Sequence, residues 1–379
     1  MDTDRKNKRL NTRLNKKTGW MLSCCTLLLL AGCTGNPQVE SSPKPETTLN
    51  PSPSIHSTPT PDPAKALSAY TYPLTGVPLS QEAYAQYALK LVERPANLLL
   101  PFDRPRLVTV ENSPQARPQS GLNKADIVFE VLAEGEITRF LAIYHSQKVE
   151  TIGPVRSMRP YFAHLGEGLD AVLVHAGWSQ DAMNYMESRK LNHLDQVYGD
   201  DKYYWRAKDR KMPHNLYTST DLMAQGSQER KFRGLWKAPE LHFAKGQGVN
   251  LLRDPGSTIT IPYISGYKVA YTYDAGRKQY MRTMAGKPHL DKETNEQLST
   301  TNLLIIEAEH QILDKEGRRS VNVNGPGRGV IMQEGKSQPI TWDRKGGMIR
   351  AYADGSEIPL LAGTTWVQIV PPGTKLDIK

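Results

Sequence analysis

All three cysteines of this 379-residue chain, Cys24, Cys25 and Cys33, lie within its first 33 positions. Whatever folds beyond Cys33 has no disulfide, no thiolate nucleophile and no cysteine metal ligand. It must be held by burial of its own apolar side chains. Length permits this, because a chain of about 300 residues removes roughly three quarters of its surface from water on folding.

Upstream of Cys33 the pattern is that of a targeting segment. Lys6, Lys8, Arg9, Arg13, Lys16 and Lys17 precede a short apolar run, MLSCCTLLLLAG, which closes with LLAGC at Leu29–Cys33. The run is too short to cross ~30 Å of hydrocarbon as a stable helix, so residues 1–32 read as a removable signal peptide. Small residues before a cysteine resemble the lipobox of bacterial lipoproteins. That resemblance implies cleavage before Cys33, a diacylglyceryl group on its thiol, and a mature chain on the outer face of the cell membrane. Processing also changes the charge. The full chain carries +9, and removal of the 7 basic and 2 acidic residues of 1–32 leaves +4. Nucleic acid is therefore not an expected partner, while a mild attraction to anionic lipid or wall polymer remains.

Residues 33–69 follow as a lipidated cysteine and a tether. Positions 34–68 hold 8 Pro, 6 Ser and 5 Thr, too little apolar surface to offset the entropy of folding. At ~3.1 Å per residue in polyproline geometry the tether reaches at most on the order of 100 Å.

The remainder divides by texture. Residues 70–245 read as a mixed domain, α+β or partly wound α/β, and residues 246–379 as a smaller, mostly antiparallel β domain. SQEAYAQYALKLVE (80–93) has helical spacing, RLVTVEN (106–112) alternates like a strand, and 125–146 reads as a hairpin turning at Glu134-Gly135-Glu136. DAVLVHAG (170–177) is a buried strand, followed by a helix capped by Ser179. Beyond 245, short alternating runs separated by Asp-Gly and Glu-Gly turns follow one another.

Three polar segments carry the candidate chemistry. In IGPVRSMRPYF (152–162), Ser157 is expected to cap a helix running to about Leu165, stopped by Gly166 and Gly168, with Arg156 and Arg159 flanking its N-terminus. Free first-turn amides and paired guanidinium forks suit a carboxylate or phosphate. The alternative is an internal pairing with Glu130, Glu134 or Glu136. In ENSPQARPQSGLN (111–123), Asn112 and Arg117 lie on a polar loop that either lines a pocket or satisfies its own turns. In MPHNLYTST (212–220), His214 beside Asn215 is the best-placed acid/base group, and Thr218 or Ser219 caps the next helix. His175, at a strand end, is a second candidate, with Glu134 and Glu136 as carboxylate partners. The ligand-binding set is thus Asn112, Arg117, Arg156, Arg159, His214 and Asn215. Gly325–Gly329 precedes a strand and is no dinucleotide fingerprint. The nine histidines show no ligand spacing, so neither metal nor cofactor is expected.

ARPQSGLNKADIVFEVLAEGEITRF, IGPVRSMRPYF and MPHNLYT, in that order, resemble the YerB-like lipoproteins of Gram-positive bacteria. The resemblance runs from YPLTG (72–76) to GTTWVQIVP (363–371). It implies a larger N-terminal and a smaller C-terminal domain outside the membrane, and it carries no accepted catalytic residues. Two readings remain open. One is a binding module for a wall polymer, a peptide or an envelope protein; the other is a hydrolase or transferase using a carboxylate/histidine pair.

Overall fold

The structure, a computed structural model, describes residues 70–85, 100–237, 241–245, 252–264 and 267–379. The signal peptide, Cys33, the tether and most of the helix expected over 80–93 lie outside them. Among the described residues, no helix is long and apolar enough to cross a membrane.

A twelve-stranded mixed sheet forms the frame. Its N-terminal part contains β1 (Arg106–Glu111), β2 (Ile127–Leu132), β3 (Thr138–Tyr144), β4 (Val172–His175) and β5 (His193–Asp195). Three strands of an antiparallel meander follow, β6 (Thr258–Ile264), β7 (Tyr267–Asp274) and β8 (Gln279–Met284), which are the three long strands of a separate six-stranded sheet. The chain then returns to the first sheet with β9 (Asn302–Glu307). A small hairpin, β10 (His310–Ile312) and β11 (Arg319–Val321), projects before β12 (Gly327–Gln333), β13 (Lys336–Lys345), β14 (Met348–Ala353) and β15 (Ser356–Glu357). Last comes β16 (Thr365–Val370).

The order across the large sheet is β15-β14-β13-β12-β9-β16-β2-β3-β1-β4-β5, with the two-residue strand Asp254–Pro255 paired to β13 as the twelfth. β16 lies between β9 and β2 and runs parallel to both. The division expected at 245/246 therefore separates stretches of sequence but not hydrogen bonding, since the last long strand is paired to the N-terminal part. The mostly antiparallel character expected beyond 245 holds, with β9 and β16 as the parallel exception.

Strand alternation explains the two cores. In β2, Ile127, Phe129 and Val131 face one cluster, shared with helices α1 (Pro160–Gly168) and α2 (Gln180–Ser188). Val128 and Leu132 face the other, shared with the six-stranded sheet and with Met223 of α3 (Thr220–Glu229). Trp342 and Trp366 are buried, one in each cluster. Each such large side chain contributes on the order of 1.5–3 kcal/mol.

Two local expectations change. Helix α1 begins at Pro160 with Arg159 as N-cap, not at Ser157. A residue before proline is pushed out of the helical region, and Arg159 is accordingly extended at φ −128°, ψ 158°. The preceding backbone is already committed to ladder bonds, Arg156 N–H to Thr109 O (2.9 Å) and Met158 N–H to Gly177 O (2.9 Å). The helix runs through Gly166 and ends at Gly168, with Leu169 as C-cap. Both glycines serve close approach: a Cβ on Gly166 would lie 2.2 Å from Leu173, and one on Gly168 only 1.9 Å from the Gly347 carbonyl. By contrast, Ser219 caps α3 as expected, accepting from Leu222 N–H at 3.2 Å.

Candidate functional site

β1, β2, β4, β5, β9 and β16 share one direction, with β3 opposed, so their carboxyl ends lie along one edge. That edge is where open α/β sheets present ligand-binding groups. Residues 152–158 lace across it. Ile152 N–H donates to Thr218 O, Val155 N–H to Leu216 O (both 2.8 Å), and Glu111 N–H to Pro154 O at 2.9 Å. This crossing brings the three polar segments of the sequence together.

Glu111, at the end of β1, is the centre of the first group. Arg156 Nη2 pairs with it at 2.7 Å, Ser113 Oγ–H donates to it at 2.7 Å, and His214 Nδ1 lies 2.9 Å from each carboxylate oxygen. Burial pushes the Glu111 carboxyl up, but hydrogen bonds from Arg156, Ser113 and His214 outweigh it and hold the group below the usual carboxylate range.

Immediately beneath lies a buried polar chain. Arg117 donates to Asn112 Oδ1 (3.1 Å) and to the Asn112 carbonyl (2.7 Å), while Asn112 Nδ2 donates to Thr138 Oγ1 (2.8 Å) and Glu130 Oε1 (3.1 Å). Gln119 Nε2 donates to the Glu111 carbonyl at 2.8 Å, and its Oε1 accepts from His289 Nε2–H at 2.8 Å. His289 Nδ1 in turn accepts from Arg282 Nε at 3.0 Å, which fixes that tautomer. Burial, aided by Arg282, keeps the His289 ring neutral. The chain ends at a fully enclosed ion pair, Arg282 Nη2 to Glu130 Oε2 at 2.9 Å. The rings of Trp366, Phe140 and Tyr271 lie 5.1–5.4 Å from the guanidinium carbon.

The second group surrounds Glu134, in the turn after β2. Its carboxylate pairs with both Arg139 and Arg159. Burial brings the Arg139 guanidinium down to about 10 despite the opposing pull of Glu134. Beside this group opens a cavity of about 560 Å³, lined by Arg159, Arg318, Arg319, Asp314 and the first turns of α1 and α2, which include Asp181. Neither helix receives a side-chain cap, so its first-turn N–H groups have no side-chain acceptor. Ser179, the N-cap of α2, has a buried Oγ without a partner, as does Arg319 at Nε. Arg318 pairs with Asp314 across the hairpin turn. Arg319 Nη2 donates to the Gly135 carbonyl at 2.7 Å and pairs with no carboxylate among the described residues.

The structure thus brings Arg156 to His214, Arg117 to Asn112, and Arg159 to Glu134, as three neighbouring groups along one edge. Asn215 ties its own turn, donating to Ala207 O (3.0 Å) and Arg210 O (3.3 Å). Glu136 is exposed at the hairpin tip. His175 is closed to solvent, with Nδ1–H on Gly177 O at 3.0 Å and burial driving its ring down to about 3. Arg156 answers to Glu111, a residue outside the candidate set, and Arg282 and His289 are also absent from that set. Arg282 had a signal: it occupies an inward phase of β8, between Tyr280 and Met284.

Comparison with known proteins now bears on this geometry. Residues 99–233 match the family model described as the N-terminal domain of a protein of unknown function (DUF3048), and residues 259–367 match the corresponding C-terminal domain. The chain is 38% identical over 317 residues to the protein named "Putative lipoprotein YerB" of Bacillus subtilis (strain 168), covering 82% of this chain and 88% of that one. The crystal structure of the YerB protein from Bacillus subtilis superposes with a TM-score of 0.71 at 35% identity, covering 81% of this chain and 99% of the other. The chain belongs to the YerB-like family of two-domain DUF3048 proteins.

Proposed function

We propose that this protein is an envelope lipoprotein, anchored on the outer face of the membrane through diacylglyceryl-Cys33, that binds an anionic envelope ligand at the carboxyl edge of its large sheet. The lipoprotein designation of the relative and the LLAGC motif support the anchor. The observation that carries the binding reading is the cavity in which Arg319 lacks a carboxylate partner and two uncapped helix N-termini open beside it. Amides and guanidinium groups arranged in this way favour a carboxylate or a phosphate. The cavity is built from both family domains, since α1 and α2 belong to the first and the β10–β11 hairpin to the second. Arg159 lines the cavity but is already paired with Glu134, and Arg156 lies outside it, paired with Glu111.

The test is isothermal titration of the full chain in detergent with an anionic wall glycopolymer fraction, a neutral glycan and inorganic phosphate. Loss of a charge-assisted hydrogen bond costs ~1.5–3 kcal/mol, so Arg319→Ala should weaken anion binding by roughly 10- to 150-fold. Wild-type protein that binds none of the anions, or an Arg319→Ala variant that binds them equally well, removes the basis for this reading.

A further inference from the structure

The Glu111–His214 pair carries a separate inference. Arg156 and Ser113 hold Glu111 ionised, so its oxygens only accept hydrogen bonds. His214 Nδ1, 2.9 Å from both of them, therefore donates to the carboxylate, and in the Nδ1–H tautomer the lone pair sits on Nε2. Arg156 Nη2, 3.2 Å from Nδ1, then serves the carboxylate alone. Nε2 has no protein partner among the described residues, and it is not among the sealed polar atoms, since the side chain is 23% exposed. Behind the pair, the bond from Gln119 to the Glu111 carbonyl and the His289–Arg282 chain fix the strand end from below.

A carboxylate that sets the tautomer of an imidazole whose other nitrogen meets solvent is the arrangement of a general base and its orienting group. We propose that His214 activates water against a carboxylic ester of the cell envelope, with Glu111 as its positioning residue. Water is the nucleophile because, among the described residues, no hydroxyl lies within hydrogen-bond distance of Nε2. Ser113 Oγ gives its proton to Glu111, lies 3.5 Å from Nδ1 and not from Nε2, and is almost fully buried. The chain beyond Cys33 has no thiol.

In the reaction, Nε2 takes one proton from water as the water oxygen bonds to the ester carbonyl carbon. Glu111 stabilises the resulting imidazolium. Collapse of the tetrahedral adduct breaks the bond to the leaving alkoxide, which recovers the proton from Nε2. The products are a carboxylic acid and an alcohol, with no change of oxidation state. General base catalysis contributes ~10²–10⁴-fold, a range that suits the reactive end of acyl chemistry to which carboxylic esters belong.

The experiment uses the full chain in detergent micelles with p-nitrophenyl acetate as probe, together with nitrogen NMR of the histidine side chains. Wild-type protein should hydrolyse the ester faster than free imidazole at equal concentration, and His214→Gln should lose at least ~100-fold of the rate. Glu111→Gln should slow the reaction and release His214 from the Nδ1–H tautomer, a change a purely structural ion pair would not couple to rate. The proposal is overturned if His214→Gln hydrolyses as fast as wild type, or if wild type is no faster than imidazole. It is equally overturned if His214 in the wild type is an Nε2–H tautomer, a measurement that needs no variant to fold.

Discussion

Replacing Arg282 by methionine removes the cation of the only ion pair among the described residues whose two side chains are both fully buried. At 2.9 Å and an effective dielectric near 20, the gross attraction to Glu130 is about 6 kcal/mol. Desolvating two ions costs several kcal/mol each, so the intact pair nets little over an apolar pair of similar volume. The single variant is different. It leaves the Glu130 carboxylate in the interior with only Asn112 and Thr138 as donors, and it empties the ring-lined space around the guanidinium. An uncompensated buried charge of this kind costs ~3–5 kcal/mol. Urea unfolding of wild type, Arg282→Met, Glu130→Gln and the double variant closes a thermodynamic cycle. Each single variant should lose ~3 kcal/mol or more, and the double should recover at least about 2 kcal/mol of the summed loss. Additive losses, or single variants within about 1 kcal/mol of wild type, would refute the ledger and show that the pair is not what holds the two sheets in register.

Two further outcomes follow from the same structure. His175 and His145 are neutral in the fold, held down by burial to about 3 and about 4. The unfolded chain binds their protons below about 6.5, so stability should be fully present above that value and fall as pH drops towards 4. Urea midpoints measured between pH 7 and 4 check this, and a flat profile would contradict it. Separately, Cys33→Ser should move the protein from the membrane pellet to the soluble fraction of fractionated cells, whereas retention in the pellet would place the anchor elsewhere.

Much of the fold was legible in short-range pattern. Alternation located β1, β2 and β3, and Ser219 marked the start of α3. The failures occurred where two local rules competed. Ser157 is a good capping residue, but Pro160 excludes Arg159 from the helical region and moves the helix start by two residues. Gly166 looked like a helix stop because its reason, close contact with Leu173, is tertiary, whereas Gly168 does end the helix. The candidate site was legible as residue types and only partly as partners. The sequence shows that Arg156 and Arg159 need anions, and it offered the hairpin glutamates. Arg159 does take Glu134, whereas Arg156 takes Glu111, a pairing that depends on how residues 152–158 cross the sheet edge. Periodicity identified β16 as a strand but could not place it beside β2, because a strand's period says nothing about its neighbours.

That placement orders events in time. β16 is the last long strand to be synthesised, and it fills the gap between β9 and β2 in the middle of the large sheet. Until residue 370 has emerged, β2 keeps one open edge and the polar chain beneath Glu111 lacks the Trp366 ring beside Arg282. A nascent chain carrying the whole first family domain is therefore an incomplete sheet with an unpaired interior edge, the kind of species that invites mispairing with other chains. Only with β16 in place does the Trp366 ring lie over the Arg282 guanidinium, at 5.1 Å from its carbon.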